Sequence, residues 1–273
     1  MIKQGVIIAI ALLLLASPLM AGATDKVSWK NGYTWTYNTA AGDQTTRMTF
    51  KVVDVERVPG DPGHWCWVVR STFSIEGEEI AMTTYYDAEN RRGGETSMGI
   101  YKQDIPLGQM LGMMTGELGG DQTAMPGMES IKASMVYAPK PGEQMLPIGD
   151  REYETEILTA IGLGPMEGMG GMEMSVNTGF VIQNMGRETI KVPAGTFDTY
   201  HVRITSETEA TTMDFMGQSM PIPGQTTTKD VWFSYDVRNI VRMESASQGM
   251  EGLMGGMSGQ QATTVMELAS YSL

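Results

Sequence analysis

The feature that most constrains the fold of this chain is a pattern that occurs twice. In the first copy a Val-Pro-Gly turn at 58–60 precedes an apolar run and then Tyr-Asp-Ala-Glu-Asn at 86–90. In the second copy Val-Pro-Ala-Gly at 192–195 precedes another apolar run and then Tyr-Asp-Val-Arg-Asn at 235–239. Each copy is typical of a strand, a tight turn, two further strands and a closing turn. The repetition predicts one duplicated β architecture.

The periodicity of the remaining sequence supports an all-β, β-dominated fold. Tyr33-Thr34-Trp35-Thr36-Tyr37 alternates aromatic and polar residues, as a half-buried strand does. A change of parity at Val52-Val53 predicts a β-bulge. We predict a curved antiparallel sheet or half-barrel of about ten or eleven strands, built from two pseudo-repeats and carrying Met/Gly-rich loops or short helices. The Met/Gly-rich loops or short helices are expected at 107–128, 164–174, 213–220 and 250–257. The best helical candidates are 106–115 and 157–163.

Residues 1–23 are typical of a cleaved signal peptide. Lys3 is followed by an apolar run at 6–16, and Ala21-Gly22-Ala23 matches a cleavage site. Cys66 is the single cysteine and lies far from that site, which excludes a lipid anchor on a cysteine after cleavage. We therefore expect a secreted or periplasmic protein that is soluble after cleavage, with no transmembrane helix in the mature chain.

We predict that the mature chain has three parts. A first β repeat spans 24–103, a Met/Gly-rich connector spans 104–135 and a second β repeat spans 136–273. The two repeats are expected to form one continuous domain, and the alternative is two small β domains hinged within the connector.

Charge and motif content argue against several function classes. The chain has 32 acidic and 19 basic residues, a net charge of −13, and no basic cluster, so we expect no nucleic-acid partner. His64 and His201 lie outside any nucleophile or zinc motif, and a satisfied polar-face histidine is the favoured interpretation of each. Cys66 is interpreted as a small apolar packing residue. We expect no enzyme activity and no cofactor.

Methionine is the unusual part of the composition, with 25 Met beside 33 Gly. Thioether sulfur suits Cu(I), so four closely spaced methionines are candidate metal ligands in an alternative interpretation. The other interpretation is that Met and Gly form an adaptable apolar surface or core, or scavenge oxidants. The four candidate copper ligands are Met166, Met169, Met172 and Met174.

We predict that the protein is a non-enzymatic extracytoplasmic binding protein for a lipid, another hydrophobic ligand or an apolar protein segment. Exposed apolar loops normally mark a binding surface, and these loops could cover the concave face of the sheet. The alternatives are a Met-rich copper-binding protein and a structural cell-envelope protein. The candidate ligand-binding residues are Trp35, Trp65, Trp67, Tyr200, Trp232, Met110, Met113 and Met114.

The second half of the chain resembles a family of uncharacterised secreted β proteins. The shared features are Val-Pro-Ala-Gly-Thr-Phe-Asp at 192–198, Trp-Phe-Ser at 232–234 and a strand ending in Glu-Ser at 244–245. The resemblance covers about residues 180–273. It implies a half-barrel similar in shape to lipoprotein carriers of the LolA and LolB type, which hold acyl chains in a concave face. It implies no catalytic residues, and the Met-Gly loops depart from its pattern.

Overall fold

The computed structural model describes residues 28–41, 44–58, 61–75, 78–88, 100–106, 133–139, 153–163, 172–215, 218–222, 224–248 and 263–273. At 41, 44, 58, 61–64, 75, 78, 87, 133–139, 153–163, 172–176, 211–215, 218–222, 247 and 248 it describes the backbone alone. The strands are β1 (Thr34–Ala41), β2 (Gln44–Val58), β3 (Asp61–Ile75), β4 (Glu78–Asp87), β5 (Ile100–Ile105), β6 (Ala133–Pro139), β7 (Tyr153–Leu163), β8 (Met172–Val192), β9 (Gly195–Thr208), β10 (Thr211–Phe215), β11 (Gln218–Ile222), β12 (Gln225–Ser234), β13 (Asn239–Gln248) and β14 (Thr263–Ser272).

The predicted all-β class and curved antiparallel sheet are confirmed. Twelve strands pair in the order β1-β14-β13-β12-β9-β8-β7-β6-β5-β4-β3-β2, and β2 pairs again with β1. Strand pairing therefore extends around more of the sheet than in the predicted half-barrel. β10 and β11 form a separate two-stranded sheet. The described residues hold fourteen strands, more than the ten or eleven predicted.

The two copies of the pattern form equivalent strands. β2, β3 and β4 are neighbours in the sheet in the first copy, as β8, β9 and β12 are in the second. The predicted bulge in β2 is confirmed by a register shift between Val52 and Asp54. β8 has a bulge at a comparable place, between Asn184 and Gly186. Gly186 has a φ of 103°, a conformation that glycine adopts without strain.

Two predictions about non-strand segments are wrong. Residues 157–163 were expected to be helical but lie in β7, which pairs with β6 on one side and β8 on the other. Pairing on both sides outweighs local helix propensity. Met172 and Met174 were assigned to a loop but begin β8, and Met213 pairs with Met220 in the β10–β11 hairpin. Most of the helical candidate 106–115 lies outside the described residues.

The main core lies on the inner face of the closed sheet, which we define as the face that carries its largest buried cluster. Trp35 and Tyr37 of β1 belong to this cluster with Trp67 of β3 and Phe233 of β12. Trp29 precedes β1 and belongs to it too, although it is in no strand. Burial of such large aromatic side chains dominates the stability of a core. No helix among the described residues is long and apolar enough to cross a membrane.

Aromatic side chains of the first copy hold the closing turn of the second. The Trp35 Nε1–H donates to the Val237 carbonyl at 2.7 Å, and the Trp29 Nε1–H donates to the Arg238 carbonyl at 2.9 Å. The Tyr37 hydroxyl donates to the Ile240 carbonyl at 2.8 Å. Three backbone carbonyls of the 237–240 segment thereby accept hydrogen bonds inside the core.

Candidate ligand site on the inner face

An apolar cavity lies on the inner face beside Trp29. Its volume is about 20 Å³. The Trp29 ring lies 5.2 Å from the Trp35 ring and 5.1 Å from the Tyr86 ring, and Tyr37 meets Phe50 edge-on at 5.4 Å. We call this the aromatic cavity, and its lining residues are Trp29, Trp35, Tyr37, Phe50, Val69, Tyr86, Asn239, Ile240, Met243 and Met266.

The aromatic cavity as it stands has room for little more than a water molecule. A larger ligand fits only if side chains that line the cavity change position. Met243 of β13 and Met266 of β14 pair across the two strands and form one wall. Methionine has three rotatable bonds and fits irregular spaces at low cost, so this wall is the adaptable one.

Burial keeps the polar end of one lining residue in its neutral form. Tyr37 is fully buried, and this burial raises the pKa of its hydroxyl well above the usual value of 10.0, with Tyr86 as a smaller cause. The hydroxyl remains a hydrogen-bond donor to Ile240 at physiological pH.

A row of residues with different chemistry borders the methionine wall. Register places these residues side by side, because Lys229 pairs with Ile204 and Ser245, and those two pair with Ile182 and Thr264. The side chains share the inner face, since Lys229 and Ser245 lie two residues from Val231 and Met243 of the core. We call Ile182, Ile204, Lys229, Ser245 and Thr264 the Lys229 row.

Lys229 is the unexpected member of this row. Its side chain is 8% exposed, and burial lowers its pKa from the usual 10.5 to about 8. None of the ion pairs and hydrogen bonds found among the described residues includes its ammonium group. A lysine buried this deeply is almost always paired in folded proteins. Its ammonium is still largely protonated at neutral pH because the lowered pKa lies above 7.

Hydroxyl groups near Lys229 are also without partners. The Thr39, Ser245 and Thr264 hydroxyl oxygens are buried and have no hydrogen-bond partner in the structure. Thr39 pairs with Met266, so its hydroxyl lies on the inner face next to the row. Buried polar groups are normally hydrogen-bonded, so these three hydroxyls make this part of the inner face a candidate binding position.

The sequence-predicted aromatic residues separate between the two faces of the sheet. Trp35 lines the aromatic cavity, and Trp67 contacts Trp29 at 5.5 Å in the same cluster. Trp65 has the same parity as Trp67 but lies nearer the start of β3, and 41% of it is exposed. Tyr200 is half-buried, with the Arg187 guanidinium 4.4 Å from its ring centre. Their role in ligand binding stays a prediction.

Trp232, the fifth predicted aromatic, lies on the outer face in a charged cluster. Its ring stacks on the His201 ring at 4.4 Å, and its Nε1–H donates to Glu188. His201 contacts the Glu188 carboxylate through Nδ1 at 3.0 Å and the Asp230 carboxylate through Nε2 at 2.8 Å. Arg203 also binds Asp230, at 3.0 Å. Both ring nitrogens of His201 are occupied, which confirms the interpretation of a satisfied polar-face histidine.

The other sequence candidates have three outcomes. Cys66 is fully buried in a small cluster with Val68, Tyr85 and Tyr101, which confirms it as a packing residue. The His64 side chain and Met110, Met113 and Met114 lie outside the described residues.

Of the copper candidates, Met166 and Met169 also lie outside the described residues, and only the backbone is described at Met172 and Met174. Copper binding stays a prediction. The described residues contain no cluster of three or more His, Cys, Asp or Glu suited to a metal ion.

Sequence reasoning missed four residues of this inner face: Trp29, Lys229, Met243 and Met266. Trp29 precedes the first periodic segment, so no strand pattern indicated its burial. Lys229 lies in a Thr-rich polar segment at 226–230, where a lysine is ordinarily exposed. Its parity with Val231 and Phe233 was the one available signal.

Comparison with known proteins adds three distant likenesses. No family model matches the chain, and no curated protein matches it. A solved structure of a proposed lipoprotein from Parabacteroides distasonis has a TM-score of 0.41 and 14% identity, covering 93% of this chain and 100% of that one. A proposed exported protein with YmcC-like fold from Bacteroides fragilis has a TM-score of 0.41, 12% identity and the same coverage. The hypothetical lipoprotein YmcC from Escherichia coli has a TM-score of 0.36 and 8% identity, covering 88% of this chain and 85% of that one. Likenesses this distant carry no argument about this chain.

Proposed function

We propose that this chain is an exported, non-enzymatic binding protein that holds an apolar ligand against the inner face of its sheet. The observation that carries the proposal is the aromatic cavity, in which nine of the ten lining residues are aromatic or aliphatic, Asn239 being the exception. Small-molecule sites are typically concave and apolar with a few polar groups that set orientation.

The signal peptide supports a place of action outside the cytoplasm. Residues 1–23 have the charged start, apolar run and small-residue cleavage site of an exported protein. We therefore place the mature chain in the periplasm or the extracellular space. Such a compartment contains lipids and other poorly soluble apolar molecules, which a binding protein can carry through water.

The methionine wall supports a site that adapts to its ligand. Because the aromatic cavity is small, a ligand enters when Met243 or Met266 changes position. Both have flexible side chains, so they are the parts of the wall that adapt most readily.

The direct test is native mass spectrometry of residues 24–273 purified from the natural host without detergent. We expect a mass above that of the polypeptide, and an organic extract should remove the excess. A bare polypeptide mass, together with no binding of added 1-decanol by calorimetry, would contradict the proposal. A mass excess in multiples of copper, lost on adding a Cu(I) chelator, would favour the copper-binding alternative instead.

A matched pair of variants locates the site. Met266→Phe fills the aromatic cavity, whereas Met82→Phe makes the same change at a buried methionine that does not line it. Both changes overpack the core and should cost similar stability, about 1–3 kcal/mol. We expect Met266→Phe to weaken 1-decanol binding about tenfold or more, and Met82→Phe to leave it near the wild-type value.

A further inference from the structure

We propose that Lys229 binds an anionic oxygen group inside the sheet, so that the ligand is an amphipathic acid whose apolar part occupies the aromatic cavity. This inference rests on the proposed function and names the chemical class of its ligand. The head group is a carboxylate or a phosphate, which present the same anionic oxygens to an ammonium group.

Position is the first reason. Met243 and Met266 line the aromatic cavity, and Ser245 and Thr264 lie two residues from them along the same two strands. Two residues of a strand span roughly 7 Å. Lys229 pairs directly with Ser245. The ammonium-bearing row therefore begins one inner-face position beyond the cavity, which is within the length of a short acyl chain.

The missing counter-charge is the second reason. Burying an ammonium group without a partner is costly, and proteins normally pair such a group or let it lose its proton. The residues that pair with Lys229, Ile204 and Ser245, are uncharged, and no described carboxylate lies in an ion pair with it. A ligand anion would supply the missing partner.

The unpaired hydroxyls are the third reason. Ser245 and Thr264 have buried hydroxyl oxygens without hydrogen-bond partners, and Thr39 adds another on the neighbouring strand. A hydroxyl donates one hydrogen bond, so these groups could donate to the same anionic oxygens as Lys229. An ammonium on the strand next to Ser245, with Thr264 one strand further, is suited to an anion and has no feature that would attract a cation.

The test compares three probes with the same decyl chain: 1-decanol, decanoate and decyl phosphate. Each is titrated by calorimetry into delipidated mature protein at pH 7, below the concentration at which the probe self-associates. We expect wild-type protein to bind at least one of the two anions about tenfold or more tightly than 1-decanol. The anion that binds more tightly identifies the head group as carboxylate or phosphate.

The variant Lys229→Met removes the charge and keeps an unbranched side chain. Lys191→Met makes the same charge change on an exposed lysine and is the control. We expect Lys229→Met to bind the anions about as tightly as it binds 1-decanol, and Lys191→Met to preserve the preference for the anion. Because the aliphatic replacement suits a buried site, the variant should fold, and its 1-decanol affinity checks that the cavity is intact.

Failure of this inference is distinguishable from failure of the proposed function. If 1-decanol binds but Lys229→Met leaves anion affinity within about twofold of wild type, Lys229 is not the head-group site and the apolar cavity stands. If 1-decanol binds and the anions bind no more tightly than it does, the proposed ligand class is wrong and the apolar cavity stands. If none of the three probes binds, both proposals are overturned.

Discussion

The two regions of the inner face satisfy their polar groups in opposite ways. Around the aromatic cavity, Trp29, Trp35 and Tyr37 each donate to a backbone carbonyl of the 237–240 segment. In and beside the Lys229 row, three hydroxyl oxygens are buried without hydrogen-bond partners, and burial lowers the pKa of Lys229. The two regions share β13 and β14, and along these two strands the side chains change from apolar Met243 and Met266 to polar Ser245 and Thr264.

This contrast separates stability from function. Satisfied aromatic donors rigidify a core and fix a single packing arrangement. Unpaired buried polar groups lower stability, and they persist at sites where a ligand or water completes them. We therefore expect substitutions near Trp35 to destabilise the protein and substitutions near Lys229 to stabilise it while removing ligand preference.

The largest expected effect follows truncation at the aromatic end. Trp35 is fully buried and its indole donates to the Val237 carbonyl, so Trp35→Ala should lower the free energy of unfolding by about 3–5 kcal/mol. Urea denaturation measures the loss. Trp65→Ala removes the same side chain where 41% of it is exposed, and should cost about 1 kcal/mol or less. Equal losses in the two variants would contradict the assignment of the core.

The next effect has the opposite sign. Burial lowers the pKa of Lys229 from 10.5 to about 8, a difference equivalent to about 3 kcal/mol of destabilisation by the buried charge. Lys229→Met should therefore raise the free energy of unfolding at pH 7 by up to about 3 kcal/mol. Thermal and urea denaturation measure the gain, and Lys191→Met should stay within about 0.5 kcal/mol of wild type. Destabilisation by Lys229→Met would indicate that the ammonium has a partner in the folded state.

The same charge predicts a dependence of stability on pH. Between pH 8 and 10.5 the unfolded chain keeps the Lys229 proton and the folded chain releases it, so stability rises with pH in that window. Above pH 10 the raised pKa of Tyr37 acts in the opposite direction, because the unfolded tyrosine ionises first. Urea midpoints measured from pH 7.5 to 9.5 should rise in wild type and stay flatter in Lys229→Met. Parallel curves would contradict the lowered pKa.

The smallest effects compare one hydroxyl from each region. Tyr37→Phe removes a buried hydrogen bond to the Ile240 carbonyl, so it should cost about 1–2 kcal/mol. Ser245→Ala removes a hydroxyl that has no partner and should change stability by less than about 0.5 kcal/mol in ligand-free protein. Urea denaturation of both variants checks the contrast. A loss at Ser245 as large as that at Tyr37 would show that the Ser245 hydroxyl is satisfied.

Much of the fold could be predicted from the sequence because its strands alternate clearly. The bulge at Val52 and the turn between β8 and β9 follow from periodicity and turn residues. The assignment of 157–163 as helix failed because pairing with β6 and β8, which no local window contains, decides that segment. The division into repeats at 24–103, 104–135 and 136–273 stays a prediction.

The candidate site was less predictable than the fold. Trp35 was found through its alternation, but Trp29 is buried by contacts with Trp67, Tyr86 and Arg238, all distant in the sequence. Lys229 follows three threonines, a sequence context typical of a solvent-exposed lysine. Its burial depends on the pairing of β12 with β9 and β13, which the local sequence does not show. Composition drew attention to methionine loops outside the described residues, whereas the methionines that line the cavity, Met243 and Met266, stand singly in strands.

The measurement that tests the account most directly is an NMR titration of the Lys229 side chain in mature, ligand-free protein. The signal is assigned by its loss in Lys229→Met, and its chemical shift is followed from pH 6 to 11. The account predicts a pKa near 8, rising when the preferred decyl anion is added. A pKa near 10.5 that is unchanged by either anion would mean that Lys229 is solvated or already paired, and would contradict a buried anion site on the inner face.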